Sequence, residues 1–476
     1  MIATTLLTLA IVTQDQASLR AAPRDSGVQQ AALWQGDTLE IRGQRMDYLQ
    51  VYDHRRERAG FVHVSQVRQL SLKPADAPEL LSVVRFLRAS PGAEALGIGY
   101  TAAYLKAAPA QTIGAEAFDA LGTMAARLAH RASLKHPKAA SDVISAHLEV
   151  AAFYGVTFKG YEREGTVQLC YEGESFRRVL ALPSAAEQRA HAALNLTRHE
   201  CMAADLHPQA RSAHDQWRID VLDSVSTAQF DSLPELDKNR LRMRRAGVLA
   251  SLAFQQARRA QVPTAAAQRA LSELASVNKL ELTDTDQQEY FDSAVRVGAS
   301  RWAAETSQSA PGKLSVLATP GQPGETCLSL FEAQPDGKPG EVAVVKRCTY
   351  GVVWTASVNP HPNGRALALA VQPQDTWREL WLFRKTGDQW TIDILPPTSS
   401  SPGLGYVEFA GWAKGTQQAQ LLLARESRTG GRSKRSFEVI ALDTLATDKQ
   451  ASDPSLLMAF GKSQDALWKR QTVSLR

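Results

Sequence analysis

Along the first seventy residues, apolar positions alternate with polar ones in short runs such as "TLEI", "YLQVY" and "FVHV", separated by "QGD", "RGQR" and "DHRRERAG". A period of two broken by Gly, Asp and Arg clusters predicts short strands of a small all-β barrel. After "LKPADAPELL" the period lengthens. Leu80, Val83, Val84 and Leu87 make one helical stripe. Phe118, Leu121, Ala125, Leu128 and Ala132 make a second, and Val143, Ile144, Leu148, Ala151 and Ala152 a third. Further helices are expected over 186–196, 210–225, 236–256, 264–277 and 286–304. From about Ser307, strand-formers mixed with Gly and Pro run to the C-terminus. The pattern predicts a multidomain β + α + β chain: a signal-like segment over 1–16, a barrel over 17–72, an α-helical domain (bundle or short solenoid) over 76–305, and a β domain over 313–476.

The last region repeats itself. "WTASVNPHPNGRALALA" with "ELWLFRK" matches "FAGWAKGTQQAQLLLARE" with "SFEVIALD" at an offset of 57 residues, Ser436 against Glu379. The closing "MAFGKSQDALWKRQTVSL" reads as a further partial unit. Such units resemble β-propeller blades of the WD-repeat or TolB kind, although about 170 residues hold only three to four of them. A small or incomplete propeller is expected, with a sandwich as the alternative.

The opening run Met1 to Val12 is too short to cross a bilayer, which takes roughly 20 apolar helical residues. It has the length of a signal-peptide core, without a Lys or Arg before it or an A-x-A site after it, and is read as an export signal. The cysteines agree with export. Two apolar runs flank the turn-rich "PDGKPG", and symmetry about Pro335–Gly340 sets Cys327 opposite Cys348. Cys170 and Cys201 remain as a second candidate pair.

The N-terminal residues carry a resemblance. Leu19-Arg20 and Pro23, then Leu33 and Gly36-Asp37, then a strand from Tyr48 to Val51, then Gly60-Phe61-Val62 and Val67, resemble a bacterial Src-homology-3-type domain. It covers about fifty residues and leaves the rest of the chain unassigned. The resemblance implies a contact with a cell-wall peptide or another protein of the envelope.

In "FVHVSQV" the alternation sends Val62 and Val64 inward and Phe61 and His63 outward. Tyr48, Gln50 and Tyr52 likewise share a face. Trp34, Tyr48, Tyr52, Phe61 and His63 therefore form a candidate aromatic groove for an extended peptide. A competing expectation has the same rings covering the second side of the barrel or docking on the helical domain.

Charge changes the picture little. The 54 Lys and Arg against 49 Asp and Glu leave +5 over 476 residues, too mild for nucleic acid. Arg240, Arg242, Arg244 and Arg245 in "KNRLRMRR" form a candidate basic contact, weighed against arginines paired to neighbouring acids. "RESRTGGRSKR" reads as a mobile basic hairpin tip. In "HECMAADLHPQARSAH" the spacing of His199, His207 and His214 fits no zinc signature. "GIGYTA" follows a helical stripe instead of a strand, so its glycines serve packing and not a dinucleotide. No catalytic residues, metal or cofactor are assigned.

The sequence thus predicts a non-catalytic periplasmic or secreted protein that binds or scaffolds, with no transmembrane segment and an oligomeric state it leaves open. The alternatives are a periplasmic hydrolase with its site in the helical domain, and a helical assembly factor whose β domains are structural.

Overall fold

The computed structural model describes residues 8–470 apart from 164, 204, 307–312, 335–339, 399–402, 414–418 and 430–431. The chain has an N-terminal antiparallel sheet, a helical middle and a C-terminal multi-stranded sheet region. It divides into two compact units, 1–206 with 221–233, and 207–220 with 234–476. The helices expected as one domain over 76–305 are shared between these units.

In the first unit the strands are β1 (Leu9–Val12), β2 (Ala17–Arg20), β3 (Gln29–Leu33), β4 (Thr38–Arg45), β5 (Tyr48–Asp53), β6 (Arg58–His63) and β7 (Val67–Leu70). They pair in the order β3-β2-β6-β5-β4-β1-β7. Inward residues Ala10, Val12, Leu19, Leu33, Leu39, Leu49, Val51 and Val62 make its core. The sheet begins ahead of the boundary expected at residue 17. Ala10, Ile11 and Val12 are wholly buried, and β1 pairs with both β4 and β7, so the latter part of the apolar opening run serves as a core strand. Met1 to Leu7, the start of the signal-like segment, lie outside the described residues.

Helices α1 (Ala77–Arg88), α2 (Glu94–Ala107), α3 (Ala115–Ala132) and α4 (Lys138–Phe153) pack their stripes with Ile11 and Leu70 of this sheet. The close approach of α2 depends on Gly99. A Cβ there would stand 2.8 Å from Ile11 Cδ1 and 3.0 Å from the Gly36 carbonyl oxygen. A hairpin of β8 (Phe158–Arg163) and β9 (Thr166–Tyr171) interrupts the helices. Then follow α5 (Glu174–Ala181), α6 (Ala186–Leu196), α7 (Pro208–Asp223) and α8 (Thr227–Ser232).

The second unit opens with the greater part of α7 and continues with α9 (Glu235–Arg258), α10 (Thr264–Ala275) and α11 (Asp284–Ser300). Val295 and Ala299 of α11 pack against Leu404 and Tyr406 of the sheet that follows. Strands β10 (Leu314–Pro320), β11 (Thr326–Glu332) and β12 (Val345–Thr349) form a three-stranded sheet. The repeat appears next as two four-stranded antiparallel meanders. The first is β13 (Val352–Pro360), β14 (Ala366–Gln374), β15 (Trp377–Thr386) and β16 (Gln389–Leu395). The second is β17 (Leu404–Trp412), β18 (Gln420–Thr429), β19 (Arg432–Ala441) and β20 (Thr447–Ala451).

A short parallel pairing of Trp377 with Gly405 and Arg378 with Tyr406 joins the meanders into one sheet. Among the described residues no sheet closes into a barrel or a ring of blades. The closing segment read as another partial unit is helical instead: α12 (Met458–Ser463) and a turn over Ala466–Trp468 cap the sheet with Phe460 and Trp468. Its final residues, 471–476, are outside the described ones.

Candidate functional site

The register of β5 against β6 sets Tyr48 opposite His63, Gln50 opposite Phe61 and Tyr52 opposite Ala59. Leu49, Val51 and Val62, on the alternate positions, point into the core. Tyr48, Tyr52, Phe61 and His63 therefore share the outer face, but they are not equally available. Tyr48 is only 6% exposed, edge-on to His63 at 5.1 Å, and its hydroxyl donates to Asp25 at 2.5 Å. That carboxylate acceptor raises the Tyr48 pKa. Tyr48 is thus a packed residue of this face and not an open wall of a groove.

Tyr52 carries the Arg42 guanidinium 4.1 Å above its ring and lies edge-on to His54 at 4.9 Å. Phe61 is half-buried. Trp34 stands after β3 in a tight turn, where its backbone N–H donates to Asp37 and its carbonyl accepts from the Asp37 N–H. Among the described residues no ring contact joins Trp34 to the strip. Val64 falls in the 3-10 turn Val64–Gln66, against the edge of the core.

The basic candidates of α9 are engaged with acids. Arg240 makes a bidentate contact with Asp286, Arg242 meets Glu235 at 2.7 Å, Arg244 meets Glu289 at 2.8 Å, and Arg245 lies 4.0 Å from Glu273. The Asp286 contact raises the Arg240 pKa. Because α9 packs between α10 and α11, Arg240 and Arg244 meet carboxylates of α11 and Arg245 one of α10, while Arg242 turns back to Glu235 in the first turn of α9 itself. The segment "RESRTGGRSKR" is likewise largely ladder, not loop. Arg425 pairs with Glu438, Arg428 with Asp292 and Arg435 with Glu426, while Gly430 and Gly431 lie outside the described residues.

Both cysteine pairs are bonded, Cys170 to Cys201 and Cys327 to Cys348. Cys327 and Cys348 are direct partners in the β11–β12 register, and the turn residues 335–339 between them are outside the described ones. Glu325 stands beside the second pair, but its two sulfurs are spent in the bond and supply no thiolate for a metal. His214 stacks on Trp217, and burial holds its pKa below the usual imidazole value.

Two features escaped the sequence reading. The first is an aspartate-held imidazole: His191 of α6 bonds through Nδ1 to Asp119 of α3 at 2.7 Å, and Arg88 meets the same carboxylate at 2.6 Å. Among the described residues no hydroxyl or thiol is hydrogen-bonded to its Nε2, so no nucleophile completes the pair. The second is a cavity of about 580 Å³ bounded by β18, β19 and the C-terminal helical turns. The single repeat-like pattern of the C-terminal segment gave no sign of it.

Comparison with protein-family models, curated proteins and solved structures returned no match.

Proposed function

We propose that this chain is a non-catalytic binding protein of an oxidising compartment, the bacterial periplasm or the secreted space. Its N-terminal sheet engages extended peptide, with the peptides of the cell wall as first choice and envelope proteins as second. The observation that carries this reading is the outer strip of β5 and β6, where Tyr52, Gln50, Phe61 and His63 lie on one face opposite the aliphatic core. Rings and an amide in a row suit a peptide, giving apolar contact and hydrogen bonds together. The two disulfides support the compartment, since such bonds persist where thiols are not kept reduced. Among the described residues, no helix is long and apolar enough to cross a membrane.

The Src-homology-3-type reading of this sheet draws support from its short antiparallel strands and from the 3-10 turn before β7. The propeller-like reading of the C-terminal region draws support from its two four-stranded meanders, each the size of a blade.

The test is co-sedimentation of the purified full chain with isolated peptidoglycan sacculi, alongside the Tyr52→Ser/Phe61→Ser double variant. The wild type is expected in the pellet and the variant in the supernatant, with similar melting curves. Equal sedimentation of both, or none of the wild type, overturns the reading. Capture of an envelope protein lost in the variant would move the assignment to the second choice.

A further inference from the structure

Between the β16–β17 connection and the β18–β19 hairpin, the second unit holds a polar cleft of about 360 Å³, a volume within the range of small-molecule sites. It continues the face on which Leu421, Leu423 and Ile440 join the aliphatic core of the two meanders. Alternation keeps Arg425 and Ser427 of β18 on that face, and the register sets Ser436 opposite Arg425 and Lys434 opposite Ser427. Pro396 and Pro397 line the cleft from the connection.

The bonds already made inside the cleft decide what it can take. Both oxygens of the Glu438 carboxylate are engaged: Arg425 Nε donates to Oε2 at 2.9 Å, and the Ser436 hydroxyl donates to Oε1 at 2.8 Å. Arg425 spends Nη1 on the Pro396 carbonyl, which leaves Nη2 without a bond among the described residues. Ser427 is only 4% exposed, yet its hydroxyl has no hydrogen-bond partner among the described residues. Buried hydroxyls are otherwise paired, and this one lines the cleft with its bonding capacity unused. Lys434 is exposed and has no ion-pair partner among the described residues. Arg425 and Glu438 balance each other, so the Lys434 ammonium is the uncompensated charge of the lining.

We propose that this cleft binds a phosphoryl group, carried by inorganic phosphate or by a small phosphate monoester, with its oxygens taken by Arg425 Nη2, the Ser427 hydroxyl and the Lys434 ammonium. A tetrahedral oxoanion suits three donors arriving from two strands. A carboxylate suits them less, because its best partner is a two-pronged guanidinium and Arg425 has one prong left. The site belongs to the second unit and uses no residue of the peptide strip, so either assignment can fail alone.

The experiment is isothermal titration calorimetry of the full chain at pH 7 and low salt with inorganic phosphate, glucose 6-phosphate and, as a counter-probe, acetate. At least one of the two phosphates is expected to bind, and acetate at least ten-fold more weakly. Tighter binding of the ester assigns the site to a phosphorylated compound, and tighter or equal binding of inorganic phosphate assigns it to the free ion. Lys434→Gln should weaken the phosphate at least ten-fold and Ser427→Ala several-fold. Both should leave the melting temperature unchanged, since neither group has a protein partner to lose. Lys449→Gln is the control: this exposed lysine of β20 stands opposite Val439, on the other face of the sheet, and its loss should leave binding as it was. Acetate binding as tight as phosphate, wild-type affinity in both Lys434→Gln and Ser427→Ala, an equal loss in Lys449→Gln, or no heat from either phosphate overturns the proposal.

Discussion

Tyr48 donates its hydroxyl to Asp25 at 2.5 Å from a strand whose neighbours along the chain belong to the core. The bond crosses from β5 to the β2–β3 connection and ties down the one buried aromatic residue of the outer face, while Phe61 and Tyr52 stay half-exposed. A hydrogen bond to a charged group contributes roughly 1–3 kcal/mol. Tyr48→Phe should cost about that much in a urea melt, and Tyr48→Ser roughly 3–5 kcal/mol through lost packing as well. Tyr52→Ser should fall within about 1 kcal/mol of wild type. An unfolding midpoint for Tyr48→Phe equal to that of wild type would show the hydroxyl to be idle.

The Cys327–Cys348 bond closes a 21-residue separation, and Cys170–Cys201 a 31-residue one. Loop-closure entropy puts each at on the order of 3 kcal/mol. Replacing either pair with serines should lower the denaturation midpoint by a corresponding amount. Peptide mapping without reductant should recover both linked pairs from oxidised material, and recovery of a crossed pairing would refute the assignment.

Glu408 sits at the centre of a buried ionic group, its Oε1 accepting from both Arg378, at 2.5 Å, and Arg301. All three side chains are at most 2% exposed. Burial draws the Arg378 pKa down to about 10. Removing the shared carboxylate leaves two guanidinium groups buried without it, a loss of roughly 3–5 kcal/mol in comparable cases. Glu408→Gln should therefore destabilise the second unit by several times more than Glu281→Gln in the exposed 3-10 turn Lys279–Glu281. Equal losses in calorimetry would argue against the group.

Glu426 gives a pH dependence of stability with a definite sign. Its folded-state pKa of about 8 stands above the ordinary 4.5, so the folded protein holds this proton more tightly than the unfolded chain. Its contribution is present below pH 4.5 and is lost as pH rises to about 8. Glu426→Gln, which cannot ionise, should gain on wild type across that window by roughly 3–5 kcal/mol. Parallel stability curves for the two proteins between pH 5 and 9 would contradict it.

The order of strand, helix and strand was legible in the sequence because hydrophobic period is a local property of the backbone. Ala186–Leu196 and Thr264–Ala275 follow closely where periodicity set them, and the outward placement of Phe61 and His63 follows from alternation alone. The symmetry of one turn likewise sufficed to oppose Cys327 and Cys348.

Tertiary structure decided what depends on partners far along the chain. Arg240 and Arg244 find Asp286 and Glu289, 46 and 45 residues away, only once α9 and α11 are packed. Tyr48 is buried by Asp25, 23 residues upstream. The cavity gathers Glu426, Arg435 and Trp468 from two strands and a terminal turn. Even the division of the helices between two units depends on which distant elements each apolar stripe packs against. A stripe records that a face must be buried; the residues that bury it are chosen by long-range packing, which no local period encodes.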